Sequence, residues 1–182
     1  MGCDIHIHTE KRVIRADGSY IWVNTDNFQF NEYNVLYPEY EPEDDYLVKY
    51  IYNGRNYHLF GILAGVRTSS PFQISPQKGL PEDVTDLTAK RFNPDNFHSA
   101  TWFTLKELIN YYHRMKKNSN IIWKAGSTYD YDEPFYLGDF KYFLKCVKRK
   151  ALEDLDKYKL YPKDYILDNR GEDYRIIIWF DS

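Results

Sequence analysis

The chain predicts an α+β domain: an antiparallel sheet built from an N-terminal hairpin and the C-terminal strand, packed with helices on one face. Three observations carry this expectation. Residues 3–8 alternate apolar and polar side chains, and the chain continues through Lys11-Arg12-Val13-Ile14-Arg15 and Ala16-Asp17-Gly18-Ser19 into Tyr20-Ile21-Trp22-Val23. Asp-Gly between two such runs is a hairpin signal, so strands are expected near 3–15 and 20–24. The chain closes on Tyr174-Arg175-Ile176-Ile177-Ile178-Trp179-Phe180-Asp181-Ser182, a β-branched run that suits a buried, central strand. Two intervening stretches carry apolar residues at helical spacing.

The first of these stretches is 105–117. Leu105, Leu108, Ile109 and Tyr112 form its stripe, and Thr104-Leu105-Lys106-Glu107 is a capping box at its start. The second is 139–158, opening at Asp139 with Phe140, Phe143, Leu144, Val147, Ala151, Leu152 and Leu155 on one side. Its basic run from Lys145 to Lys150 reads as a solvated face. A shorter helix is expected over Leu59, Phe60, Leu63 and Val66, capped by Asn56 and ended by Gly65. Pro81-Glu82-Asp83-Val84 reads as the start of another. Residues 39–45 read as an exposed acidic loop, and the Ser/Pro-rich residues 69–79 as irregular.

With 182 residues and 43% hydrophobic content, the chain is long enough for one domain spanning 1–182 with a true core. Its 18 Tyr, 11 Phe and 4 Trp are about twice ordinary usage, which puts tyrosines at the surface. Such a surface suits stacking on a flat ligand or a homo-oligomer. The net charge of −3 disfavours long nucleic acid as a partner. Cys3 and Cys146 make no disulfide framework, so a reduced, cytoplasmic setting is the default. No apolar run reaches bilayer length, and the N-terminus lacks a signal peptide's apolar core, so no membrane partner is expected.

The first ten residues concentrate the chemistry. Strand alternation puts Cys3, Ile5 and Ile7 on one face and Asp4, His6, His8 and Glu10 on the other. Asp4, His6 and His8 could hold a divalent metal, supplemented by His98 or by Asp181 if the last strand lies beside the first. Without metal, His6 and His98 could serve as general acid and base on a phosphodiester, with Arg67 or Arg55 stabilising charge. Cys3 lies on the wrong face to be activated by His6 and reads as core packing. A binding role without chemistry would use Trp102, Trp22, Trp123 and tyrosines such as Tyr57 for stacking. Arg55, Arg67 and Lys78 would then hold phosphates.

Asp4-Ile5-His6-Ile7-His8-Thr9 locally resembles the first metal-binding motif of the polymerase-and-histidinol-phosphatase phosphoesterases, over six residues only. A wider resemblance runs from end to end. It is carried by Met1-Gly2-Cys3-Asp4-Ile5-His6, by Arg55-Asn56-Tyr57 with Leu59 to Arg67, and by Gly79 to Val84. His98-Ser99 with Trp102 to Leu108, and Trp179-Phe180-Asp181, complete it. In these blocks the chain resembles a family of small proteins of tailed bacteriophages and their bacterial hosts, for which no activity is established. Asp4 and His6 fit that family's pattern, whereas His8 often does not. Many small phage proteins counter host defences that signal through cyclic oligonucleotides or ADP-ribose derivatives. The resemblance therefore implies a counter-defence protein. It is expected to be a phosphodiesterase acting on such a small nucleotide signal through His6, His98, Asp4 and Arg67. The alternative is a protein that sequesters the signal without cleaving it.

Overall fold

The structure is a computed structural model that describes residues 2–37, 45–69, 72–117, 123–124, 126–127, 134–135 and 137–181. Its centre is a four-stranded antiparallel sheet. The strands are β1 (Ile5–Ile14), β2 (Tyr20–Asn24), β6 (Phe97–Thr104) and β10 (Tyr174–Asp181), in the order β2-β1-β10-β6. Among the described residues, three two-stranded ribbons pair β3 (Asn27–Phe30) with β4 (Tyr46–Lys49), β5 (Thr68–Ser69) with β8 (Gly126–Ser127), and β7 (Trp123–Lys124) with β9 (Pro134–Phe135). The helices are α1 (Tyr33–Leu36), α2 (Tyr57–Ala64), α3 (Asp86–Ala89), α4 (Leu105–Lys117), α5 (Leu137–Leu155) and α6 (Lys163–Asn169).

The class is the one expected, and the β-branched C-terminal run lies between β1 and β6 with almost every residue buried. The hairpin turn uses Gly18 at φ 82, a left-handed backbone that a side chain disfavours, while the Asp17 carboxylate accepts from the Ser19 amide at 2.9 Å. Asn56 caps α2 by accepting from the Leu59 amide at 2.9 Å, and Gly65 closes it at φ 67. The capping box of α4 is reciprocal: Thr104 N–H donates to Glu107 Oε2 at 2.8 Å and Glu107 N–H to Thr104 Oγ1 at 3.1 Å.

Four expectations are corrected. β6 forms over 97–104, a stretch to which the sequence expectations assign no strand because a bulge breaks its alternation. Pro81 opens only a turn, closed by the Val84 amide on its carbonyl at 3.1 Å, and the helix begins later with Thr85 as cap. The long helix runs from Leu137 to Leu155, shifted from 139–158. Lys150, in the supposedly solvated stretch, is 5% exposed and donates to the Thr25 carbonyl and the Asp154 carboxylate. The acidic residues 39–44, Ser70, Pro71 and the side chain of Trp123 lie outside the described residues.

One face of the sheet presents Ile5, Ile7, Phe103, Ile176, Ile178 and Phe180 to the apolar stripes of α2, α4 and α5, and these side chains form the main core. The other face is a second buried layer. Here Glu10 and Arg175 are cross-strand partners, joined by bonds of 2.9 and 2.7 Å and almost wholly shielded from solvent. The Thr85 amide and the hydroxyls of Thr85 and Thr88 satisfy the other Glu10 oxygen. At Glu10 the polar face of β1 is therefore covered by α3 and its cap.

Candidate functional site

Pairing of β1 with β10 brings the two chain ends together, and Asp181 becomes the hinge of one end of the sheet. The Asp4 amide donates to Asp181 Oδ1 at 2.6 Å. His6 Nε2 lies 3.2 Å from Asp181 Oδ2, and His98 Nε2 lies 3.2 Å from the Asp181 carbonyl oxygen. The two histidines, 92 positions apart, thus end on the same residue.

Their outward nitrogens both face hydroxyls. His6 Nδ1 is 3.0 Å from the Tyr50 hydroxyl and His98 Nδ1 is 2.9 Å from Ser99 Oγ. Chemistry fixes the tautomer. A carbonyl oxygen can only accept, so His98 Nε2 carries a proton, and in the neutral tautomer Nδ1 offers its lone pair to the Ser99 hydroxyl. His6 Nε2 likewise carries a proton, because it faces a carboxylate. Burial pushes the Asp181 carboxyl up, but the Asp4 amide, the His6 ring and the charge of Arg55 together outweigh it and hold it below the usual carboxylate range. Tyr50 is a neutral phenol: burial raises it to about 12.

A β-bulge shapes this end. Ser99 and Ala100 of β6 stand opposite the single Trp179 of β10, where the register shifts between Ile178 and Phe180. Ser99 takes φ 56, the left-handed conformation that costs a residue with a Cβ about 1–2 kcal/mol. Bulges of this kind re-aim side chains, and here the re-aimed hydroxyl meets a histidine.

The remaining expected residues divide. Asp4 belongs to this end, but its carboxylate is engaged by Arg55, whose Nε and Nη2 each donate at 2.8 Å in a half-exposed bidentate pair. Arg67 donates to the Gly2 carbonyl at 3.3 Å and to the Cys3 thiol, so it ties down the N-terminal segment. Cys3 is buried on the helical face, and burial pushes its thiol up against the opposing effect of Arg67. Tyr57 packs its ring against Phe60. Lys78 and Trp102 do meet, with the amine 4.3 Å from the ring centroid and 2.8 Å from Glu107 Oε1. They lie further along the sheet, Trp102 opposite Ile177 where His98 is opposite Phe180.

His8 is separated from His6. Its ring is fully buried, stacked on Trp179 at 4.3 Å, and its Nδ1 lies 2.7 Å from Asp26 Oδ2. Burial pushes Asp26 up, but His8, Asn24 and the Thr9 amide together hold it below the usual carboxylate range. The Asp4, His6 and His8 set expected for a divalent metal is thus dispersed onto Arg55, Tyr50 with Asp181, and Asp26. Among the described residues, no group of three or more His, Cys, Asp or Glu side chains could hold a metal ion. Alternation places these residues on one side of the strand correctly, but each finds a partner of its own.

Tyr50, Ser99 and Asp26 escape sequence reading. Ser99 carried the only available signal, its position beside His98. Among the described residues no helix is long and apolar enough to cross a membrane. No family model, curated protein or solved structure matches the chain.

Proposed function

We propose that the protein is a hydrolase that cleaves a phosphodiester in a small nucleotide at the Asp181 end of the sheet. The observation that carries this reading is the shared anchor: Asp181 fixes His6 by its carboxylate and His98 by its carbonyl, each at 3.2 Å. His98 is the base. Its Nδ1 lone pair takes the Ser99 proton as Ser99 Oγ attacks phosphorus. Protonated His6, stabilised by Asp181, passes a proton to Tyr50 as the Tyr50 hydroxyl protonates the leaving oxygen. Protonated His98 then gives its proton to solvent; a water attacks phosphorus as His98 takes its proton, the bond from phosphorus to Ser99 Oγ breaks, and His98 returns that proton to Ser99 Oγ while His6 is reprotonated from solvent. Arg55, half exposed beside Asp4, swings its charge to the phosphate.

The resemblance to phage proteins supports a substrate class of nucleotide immune signals, such as a cyclic oligonucleotide or an ADP-ribose derivative. It also supports a counter-defence role in the cytoplasm of the host cell. The test is to incubate the purified protein with a panel of both classes, denature it by heat and chromatograph the supernatant. A cleaved product supports the hydrolase. Intact nucleotide depleted before heating and recovered after it overturns cleavage in favour of sequestration.

A further inference from the structure

A second polar feature lies away from the histidines. The C-terminal half of α5, the turn after it and the start of α6 enclose a groove of about 690 Å³. Lys145, Lys148, Arg149, Lys157, Lys159 and Lys163 line it, against two carboxylates, Glu153 and Asp156. The excess of positive charge gathered here stands out on a chain whose net charge is −3.

These cations differ from others in the protein. Arg12, Lys78, Lys150, Arg170 and Arg175 each pair with a carboxylate within 4 Å. None of the six groove cations makes such a pair among the described residues. The Asp156 carboxylate is occupied in shaping the turn, accepting from the amides of Leu160 at 2.8 Å and Tyr161 at 3.0 Å. At the rim, Tyr161 stacks on Tyr165 with centroids 5.3 Å apart and planes 19° from parallel, and both rings are about half exposed. Burial already holds Lys148 below the ordinary lysine range, so an arriving anion would relieve a stressed cation.

We propose that this groove is a binding site for a nucleoside polyphosphate, its phosphates held by Lys148, Arg149 and the surrounding lysines and its base stacked on the Tyr161–Tyr165 pair. The volume lies in the range of small-ligand pockets, about 300–1,000 Å³. Aromatic faces supply the stacking energy that an inorganic polyanion could not use. A continuing nucleic-acid backbone is disfavoured, because Asp164 and Asp168 of α6 act electrostatically on Lys148 from just beyond the groove. The site is independent of the hydrolase reading, since none of its residues belongs to the Asp181 end.

Calorimetric titration of the full chain with ATP, and separately with sodium tripolyphosphate and a single-stranded RNA 20-mer, tests the assignment. The expected result is saturable 1:1 binding of ATP, tighter than tripolyphosphate. Binding should weaken at least about tenfold when Lys148→Glu and Arg149→Glu are combined, and on raising salt from about 50 to about 200 mM. Tyr161→Ala should bring ATP to the level of tripolyphosphate, and circular dichroism should show both variants folded. His98→Ala should bind ATP as the parent does, which separates this site from the catalytic proposal. Absence of saturable ATP binding, ATP binding unmoved by the double charge reversal, tripolyphosphate binding as tightly as ATP, or tighter binding of the RNA would each overturn it.

Discussion

Removing Arg175 should be among the most damaging single changes in the protein. Its side chain is 2% exposed and holds the fully buried Glu10 through two charge-assisted bonds of 2.9 and 2.7 Å. Arg175→Met keeps most of the volume but leaves a carboxylate buried without its counter-ion, a change that costs about 3–5 kcal/mol. Losing the contact with the Trp22 ring, 4.0 Å from the guanidinium carbon, adds about 0.5–2 kcal/mol. Asp83 also loses a partner, but its side chain is 54% exposed and returns to water at little cost. Against a typical total of about 5–15 kcal/mol, the variant should be marginally folded. Glu10→Gln in the same background keeps an acceptor for Thr85 and Thr88 while removing the stranded charge, so the double variant should recover at least about 1.5 kcal/mol. Urea denaturation followed by circular dichroism measures all three. A loss below about 1 kcal/mol for Arg175→Met, or no recovery in the double variant, would refute the claim that this pair closes the second layer.

Three further outcomes follow from the same geometry. Asp26 has its carboxyl held below the usual range, so its contribution to stability is complete above about pH 4 and is lost as pH falls through the lower folded value; Asp26→Asn should flatten that acid limb in denaturation midpoints recorded from pH 2 to 6, roughly the span over which a depressed carboxylate titrates. Cys3, buried and with its thiol pushed up, should resist a thiol reagent in the native protein at neutral pH and react at once in denaturant, and rapid native labelling would contradict the burial. Ser99→Gly relieves the left-handed backbone at φ 56, so thermal unfolding should show stability held or raised by up to about 1 kcal/mol while turnover is lost; a clear destabilisation would contradict the bulge geometry.

Much of the frame was legible because period-2 alternation and β-branched runs report strand faces directly. β1, the hairpin and β10 followed from such runs, and the meeting of Asp181 with β1 followed from their pairing. β6 did not, because the Ser99–Ala100 bulge breaks the alternation that would have revealed it. Periodicity also fixes the side to which a residue points without fixing what covers that side. His8 and Glu10 therefore read as open to a ligand, whereas Asp26 and Arg175, distant in sequence, bury them. Sequence pairs His98 with His6 as acid and base without dividing the two roles, and the proposed mechanism gives His98 that of base. Its role depends on which nitrogen faces the Asp181 carbonyl and which faces Ser99, and that is set by backbone geometry rather than by spacing.

The central claim is that the Asp181 end is a catalytic centre with His98 as its base. Its most direct test is the initial rate of cleavage of the nucleotide that the panel identifies, compared between the parent and His98→Ala, with circular dichroism confirming an intact fold. Loss of general-base catalysis predicts a fall of about 10²–10⁴-fold. A rate within about twofold of the parent, far inside that range, would contradict it.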